Sequence, residues 1–215
     1  MEAFAAAVSA GAFGIELDIH RAASGEAVIY HDFTLERMHG DPRNISRLNL
    51  EELAPLGIPL LEELFATFGD SIFYDVEIKS RSHGPSGVEA EAIRLIRRHS
   101  LENRVLISSF NPHALRAAAR LAPEIPRGII YANDRDVPLL LRRGWGRLLV
   151  SVAALKPRWD EVTPGVVRRF SGRYALLPWT VDSAEEAKTV CDLGVDAVIT
   201  NEPVKLLETL GPGES

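Results

Sequence analysis

Hydrophobic positions recur along the chain in two alternating rhythms. Residues 2–10 (EAFAAAVSA) carry a helical pattern that stops at Gly11. Residues 12–19 (AFGIELDI) alternate strictly, with Ile15, Leu17 and Ile19 on one face and Glu16 and Asp18 on the other. A turn-rich stretch follows over 24–59, interrupted by a short strand at 27–31. Beyond it the rhythm becomes regular. Helices are predicted at 60–68, 88–99, 112–121, 137–143, 160–170, 184–192 and 204–210. Strands are predicted between them at 71–79, 104–109, 127–130, 147–152, 174–179 and 197–199.

Repeated strand-then-helix units imply parallel strands joined by right-handed crossovers. Setting aside 27–31, the pattern contains seven main strands, and the chain opens on a helix rather than a strand. Even spacing, and no glycine-rich strand-to-helix turn, favour an α/β barrel of the TIM (β/α)8 type with its first strand absent over an open doubly wound sheet. No linker or low-complexity tract divides 1–215, which reads as one domain with a frayed tail at 211–215.

Composition narrows this picture only a little. At 215 residues and 46% hydrophobic, the chain suits one well-buried domain, slightly short of the roughly 250 residues of such barrels. Its net charge of −6 comes from acidic and basic residues mixed along the sequence, with no basic stripe for nucleic acid. Cys191 is the sole cysteine, which forbids an internal disulfide and fits a cytoplasmic location. No apolar run is long enough for a membrane span, and the opening residues lack the basic start of a signal peptide. Nothing fixes the oligomeric state, and a homo-oligomer stays open.

The chemistry sits on strands. Glu16 and Asp18 project together, as do Asp75, Glu77 and Lys79, while Val76 and Ile78 face the other way. Barrel strands are ordinarily apolar on both faces, and inward acids are costly without positive charge to compensate them. Glu16, Asp18 and Glu77 make an oxygen-rich set suited to Mg2+ or Ca2+, and active sites in this fold lie at the strand C-termini. His31-Asp32 ends the short strand, and a histidine there can shuttle protons. Lys79 either holds a phosphate as a point charge or neutralises Asp75.

Taken in order, these residues resemble the glycerophosphodiester phosphodiesterase family. The matching pieces are Gly11-Ala12, Glu16-Leu17-Asp18, Gly25, Val28 to Asp32, Leu35, Arg37, Pro59 to Glu63 and Glu77-Ile78-Lys79. They continue with Ser109-Phe110, Pro178-Trp179-Thr180-Val181 and Thr200-Asn201 with Pro203. The resemblance implies a barrel of the phospholipase C-like phosphodiesterase type that hydrolyses glycerophosphodiesters to glycerol 3-phosphate and an alcohol in glycerophospholipid catabolism. It implies metal ligands at Glu16, Asp18 and Glu77, a general acid or base at His31, a phosphate-binding lysine at Lys79 and a glycerol-pocket wall at Trp179. Ser109, Phe110, Thr200 and Asn201 read equally as strand-end packing and helix capping, and the other histidines as surface or structural.

The family's first strand carries His-Arg-Gly, and no segment here supplies it; Ile19-His20-Arg21-Ala22 lacks the glycine and follows the wrong strand. Losing one of two acid–base groups is expected to cost roughly 10²–10⁴-fold in rate, giving low or no activity, with ordinary activity when such a strand is restored. The rivals are a phospholipase that stops at a cyclic product, and an inert barrel of the same family that binds metal or phosphodiester without turnover.

Overall fold

The computed structural model describes residues 1–135, 137–139 and 141–210. The chain opens with α1 (Glu2–Ser9) and β1 (Gly14–Arg21), then β2 (Ala27–Ile29) and the short helices α2 (Glu36–His39) and α3 (Leu50–Leu53). Regular alternation follows: α4 (Leu61–Phe68), β3 (Phe73–Ile78), α5 (Val88–Arg98), β4 (Val105–Ser109), α6 (Pro112–Leu121) and β5 (Arg127–Tyr131). The chain closes with β6 (Ala154–Pro157), α7 (Pro164–Phe170), β7 (Ala175–Leu176), α8 (Ala184–Asp192) and α9 (Pro203–Leu210). Side chains cap the helices as the residue types dictate. Asn111 accepts the His113 N–H at 2.9 Å ahead of Pro112, and Ser183 and Glu186 form a capping box.

The strands lie in the order β2-β1-β3-β4-β5-β6-β7, parallel throughout except for β2, which runs antiparallel to β1. Registers slip along the array: Tyr74 faces Val105, Ile107 faces Arg127 and Gly128 faces Ala154. Such stagger is the shear that curls a parallel sheet into a barrel. Beyond β7, residues 196–199 run alongside 176–181, with Asp196 N–H bonded to Leu176 O, Ile199 N–H to Pro178 O and Val181 N–H to Ile199 O. Among the described residues no ladder joins 196–199 to β1, so the array is a barrel with one strand position open. The core lies between strands and helices, where Leu17, Ile19, Val76 and Ile78 meet Val88, Leu95, Ile96 and Leu115. A second cluster of Val28, Leu35, Ile45, Leu48 and Leu53 stiffens the turn-rich region after β1.

Four predicted elements differ. Residues 197–199 form no ladder strand, only the backbone bonds to 176–181 just described. The strand expected at 147–152 is replaced by a 3-10 segment at Arg142–Leu148, and the strand comes later as β6. The helix expected at 137–143 does not form in its described residues; Leu140 lies outside them. Glycine explains both. Gly144 adopts φ +70° and Gly146 is buried, and a Cβ at either would meet Tyr131 or Ile129 at 2.9 Å. The backbone therefore lies directly on β5, in a space too thin for a helix. The helix expected at 160–170 is split, because Thr163 caps a new start at Pro164. The tail 211–215 lies outside the described residues.

Candidate active site

Parallel register fixes the acids against one another. Glu16 pairs across the ladder with Asp75, and Asp18 with Glu77. Their neighbours Leu17, Val76 and Ile78 are buried on the opposite face, so strand parity turns all four carboxylates inward. One carboxylate oxygen from each of Glu16, Asp18 and Glu77 lies within 4.8 Å of the other two. This all-oxygen donor set suits a hard divalent cation. The side chain of Lys79 crosses the same group, with Nζ 2.9 Å from Asp18 and 2.7 Å from Glu77. An ammonium standing between two carboxylates marks where the cluster demands positive charge.

A second cation completes the arrangement from β6. Lys156 is 1% exposed, and its Nζ lies 2.7 Å from Asp75 and 3.6 Å from Glu16. It also donates to Ser108 Oγ at 3.0 Å, which in turn donates to Asp75 at 2.6 Å. Asp75 is thereby neutralised by Lys156. The sequence offered Lys79 for that task, and the structure corrects it: Lys79 serves Asp18 and Glu77. The lysine of β6 went unnoticed because the strand was expected elsewhere. The usable signal was an isolated lysine in an apolar run, Ala154-Leu155-Lys156-Pro157, in a fold already carrying inward acids.

Burial dominates the electrostatics. It raises Glu16 to about 7 against the opposing pull of Lys156, and it raises Glu77 to about 7 against that of Lys79. Burial alone would depress both ammonium groups. The carboxylates of Asp75 and Glu16 offset it for Lys156, and those of Glu77 and Asp18 for Lys79, so both lysines are raised. The cluster is a dense, desolvated charge network short of positive charge.

His31 stands outside it, beyond the end of β2. The backbone N–H of Tyr30 donates to Asp18 O at 2.9 Å, which ties the His31 loop to the acid-bearing strand. The side chain is 66% exposed, and its Nδ1 is held by Asp32 at 2.6 Å. Arg37 binds the other Asp32 oxygen at 2.6 Å, and these two bonds, Arg37 first, hold the Asp32 carboxyl below its ordinary value. Nε2 is left as the ring atom facing solvent. His20, the other histidine near the strand end, is buried edge-on against Phe33, and burial holds it down to about 4. Trp179 is half-buried rather than a core aromatic. Its Nε1 donates to Lys156 O at 2.9 Å, and its ring meets Phe110 edge to face at 5.6 Å. Ser109 bonds the Ile78 carbonyl, while Thr200 and Asn201 both bond Asp182, so these three hold loops together.

The chain matches the model of the glycerophosphoryl diester phosphodiesterase family over residues 1–205. It is 32% identical to a glycerophosphodiester phosphodiesterase of Caldanaerobacter subterraneus subsp. tengcongensis, covering 98% of this chain and 91% of that protein. Among solved structures, an Oleispira antarctica phosphodiesterase in complex with the product sn-glycerol-3-phosphate superposes with a TM-score of 0.81 at 23% identity, over 98% of this chain and 89% of that one. A glycerophosphodiester phosphodiesterase from Thermotoga maritima superposes with a TM-score of 0.77 at 23% identity, over 96% and 89% of the two chains.

Proposed function

The chain belongs to the glycerophosphoryl diester phosphodiesterase family of phosphoric diester hydrolases, and from that membership we propose that it hydrolyses glycerophosphodiesters to glycerol 3-phosphate and an alcohol. The natural substrates are deacylated phospholipids, which places the reaction in glycerophospholipid breakdown. The observation that carries the reading is the convergence of Glu16, Asp18 and Glu77 at one spot beside Lys79.

Glu16, Asp18 and Glu77 would hold a divalent cation, Mg2+ or Ca2+, which supplies charge neutralisation at the phosphate as a Lewis acid. The protein's own groups do the rest. Lys79 places its ammonium against a non-bridging phosphate oxygen, exchanging one of its carboxylate contacts for the substrate. Lys156 stays buried and keeps Asp75 and Glu16 fixed in direction. His31, oriented through Nδ1 by Asp32, presents Nε2 to the leaving alkoxide or to the attacking hydroxyl. Trp179, pinned by its bond to the β6 backbone, offers a flat apolar wall to the glycerol carbons.

Phosphorus NMR of glycerophosphocholine incubated with the protein tests this directly. The expected result is a growing glycerol 3-phosphate signal, absent after chelation and weaker by roughly 10²–10⁴-fold in His31→Ala. Accumulation of a cyclic phosphate would assign the chain to the phospholipase-like rival. Metal binding without product, even after a His-Arg-Gly strand is supplied, would favour the inert barrel.

A further inference from the structure

Charge is mixed over most of the chain, but not over residues 137–181. Eight basic residues stand there against two acidic ones, in a protein of net charge −6. The two acids are occupied: Asp160 pairs with Arg158, and Glu161 accepts the backbone N–H of Asn133. Lys156 and Arg158 are occupied as well. The other six are Arg142, Arg143, Arg147, Arg168, Arg169 and Arg173, and among the described residues none of them forms an ion pair. Arg142 and Arg147 donate only to backbone carbonyls.

Local structure gathers several of these arginines around one hollow. Gly144 and Gly146 lie flat on β5, so the residue between them, Trp145, turns outward and is 54% exposed. Leu148 follows at 69% and Leu149 at 50%. At Trp145 a cavity of about 710 Å3 opens between the 3-10 segment and α7, lined by Tyr131, Arg143, Arg147, Glu161, Arg169 and Phe170. The guanidinium groups of Arg147 and Arg169 both lie over the Phe170 ring, at 4.8 and 5.4 Å. Two like charges held on one ring, with no carboxylate bound to either, leave donors directed at an anion. The cavity lies between the 3-10 segment and α7, and none of its lining residues belongs to the carboxylate cluster.

We propose that this face docks on an anionic phospholipid surface. The arginines meet lipid phosphates, while Trp145, Leu148 and Leu149 enter the boundary between headgroups and acyl chains. Exposed tryptophan and leucine interleaved with arginine is the composition of interfacial anchors. Local positive charge on an otherwise negative protein selects an anionic bilayer and orients the approach. This reading goes beyond the hydrolase assignment, and its test does not use turnover.

Sedimentation with vesicles of phosphatidylcholine alone, or of phosphatidylcholine with phosphatidylglycerol, decides it. Binding to the phosphatidylglycerol vesicles is expected to be at least roughly tenfold tighter and to weaken with salt. Arg143→Gln should weaken it by about fivefold. Combining Arg143→Gln with Trp145→Ala and Leu148→Ser should bring it down to the phosphatidylcholine level, with the melting temperature unchanged. A blue shift of tryptophan fluorescence on vesicles, lost in the single Trp145→Ala variant, supplies an independent readout. Equal binding to both vesicle types would overturn the proposal, as would wild-type binding by the triple variant. So would release from vesicles by soluble glycerol 3-phosphate, which would make the hollow a site for free anions. Preference for duplex DNA over the anionic vesicles would also overturn it.

Discussion

At the residue scale the account turns on charges placed where water is scarce. Lys156 is buried and holds Asp75 directly, and removing one partner of such a pair leaves an uncompensated charge. Lys156→Met is expected to destabilise the protein by about 3–5 kcal/mol in urea unfolding; a loss below about 1 kcal/mol, the scale of an exposed pair, would contradict this reading. The pH dependence has two opposing parts. Glu16 and Glu77 are raised from 4.5 to about 7. Between those values the folded protein holds protons that the unfolded chain releases, so metal-free stability falls as pH rises through the window. Stabilisation by added Mg2+ or Ca2+ should grow over the same range, because the carboxylates must shed those protons to bind. His20 acts in reverse. Its depression from 6.5 to about 4 means the unfolded chain takes a proton the folded one refuses, so stability is lost as pH falls through that interval. His20→Phe should recover on the order of 3 kcal/mol at pH 4, read from thermal unfolding of both proteins across the acid range.

At the element scale the site depends on the β1–β3 register, and glycine protects that register. Gly14 starts β1 opposite Phe73, where an added Cβ would stand 2.6 Å from the Phe73 carbonyl oxygen. The obstacle is backbone of the neighbouring strand and cannot rotate away. Gly14→Ala is therefore expected to cost about 1–3 kcal/mol and to weaken divalent-cation binding, since Glu16 lies two residues on. Calorimetry on the purified variant checks both. The same elements show how far sequence reading reaches. The acids of β1 and β3 were legible because a strict period of two forces them to one face, and the alternation of strand and helix gave the barrel. The 137–157 stretch was not legible, because its leucines and arginines fit a helix on paper. Only the Tyr131 and Ile129 side chains waiting on β5 reveal that Gly144 and Gly146 must press flat there. With the strand misplaced, Lys156 lost its context and half of the charge network went unseen.

At the scale of the whole molecule the layout separates two charged regions. Four acids and two lysines converge on the inner side of the strands, and unpaired arginines gather outside β5 and β6. No helix among the described residues is long and apolar enough to cross a membrane. On the far side of β1 from β3, the pairs Ile19–Ile29 to Arg21–Ala27 join it to β2, and among the described residues no ladder joins it to 196–199. The long-range consequence of the fold is that residues 61 positions apart, Glu16 and Glu77, bring carboxylate oxygens within 4.8 Å of each other, where they could hold one cation. Isothermal titration of the chelator-treated protein with Mg2+ and with Ca2+ measures this most directly. The account predicts one site per chain for at least one of the two ions, lost in each of Glu16→Gln, Asp18→Asn and Glu77→Gln and retained in His31→Ala. A binding heat that survives all three carboxylate substitutions would contradict it.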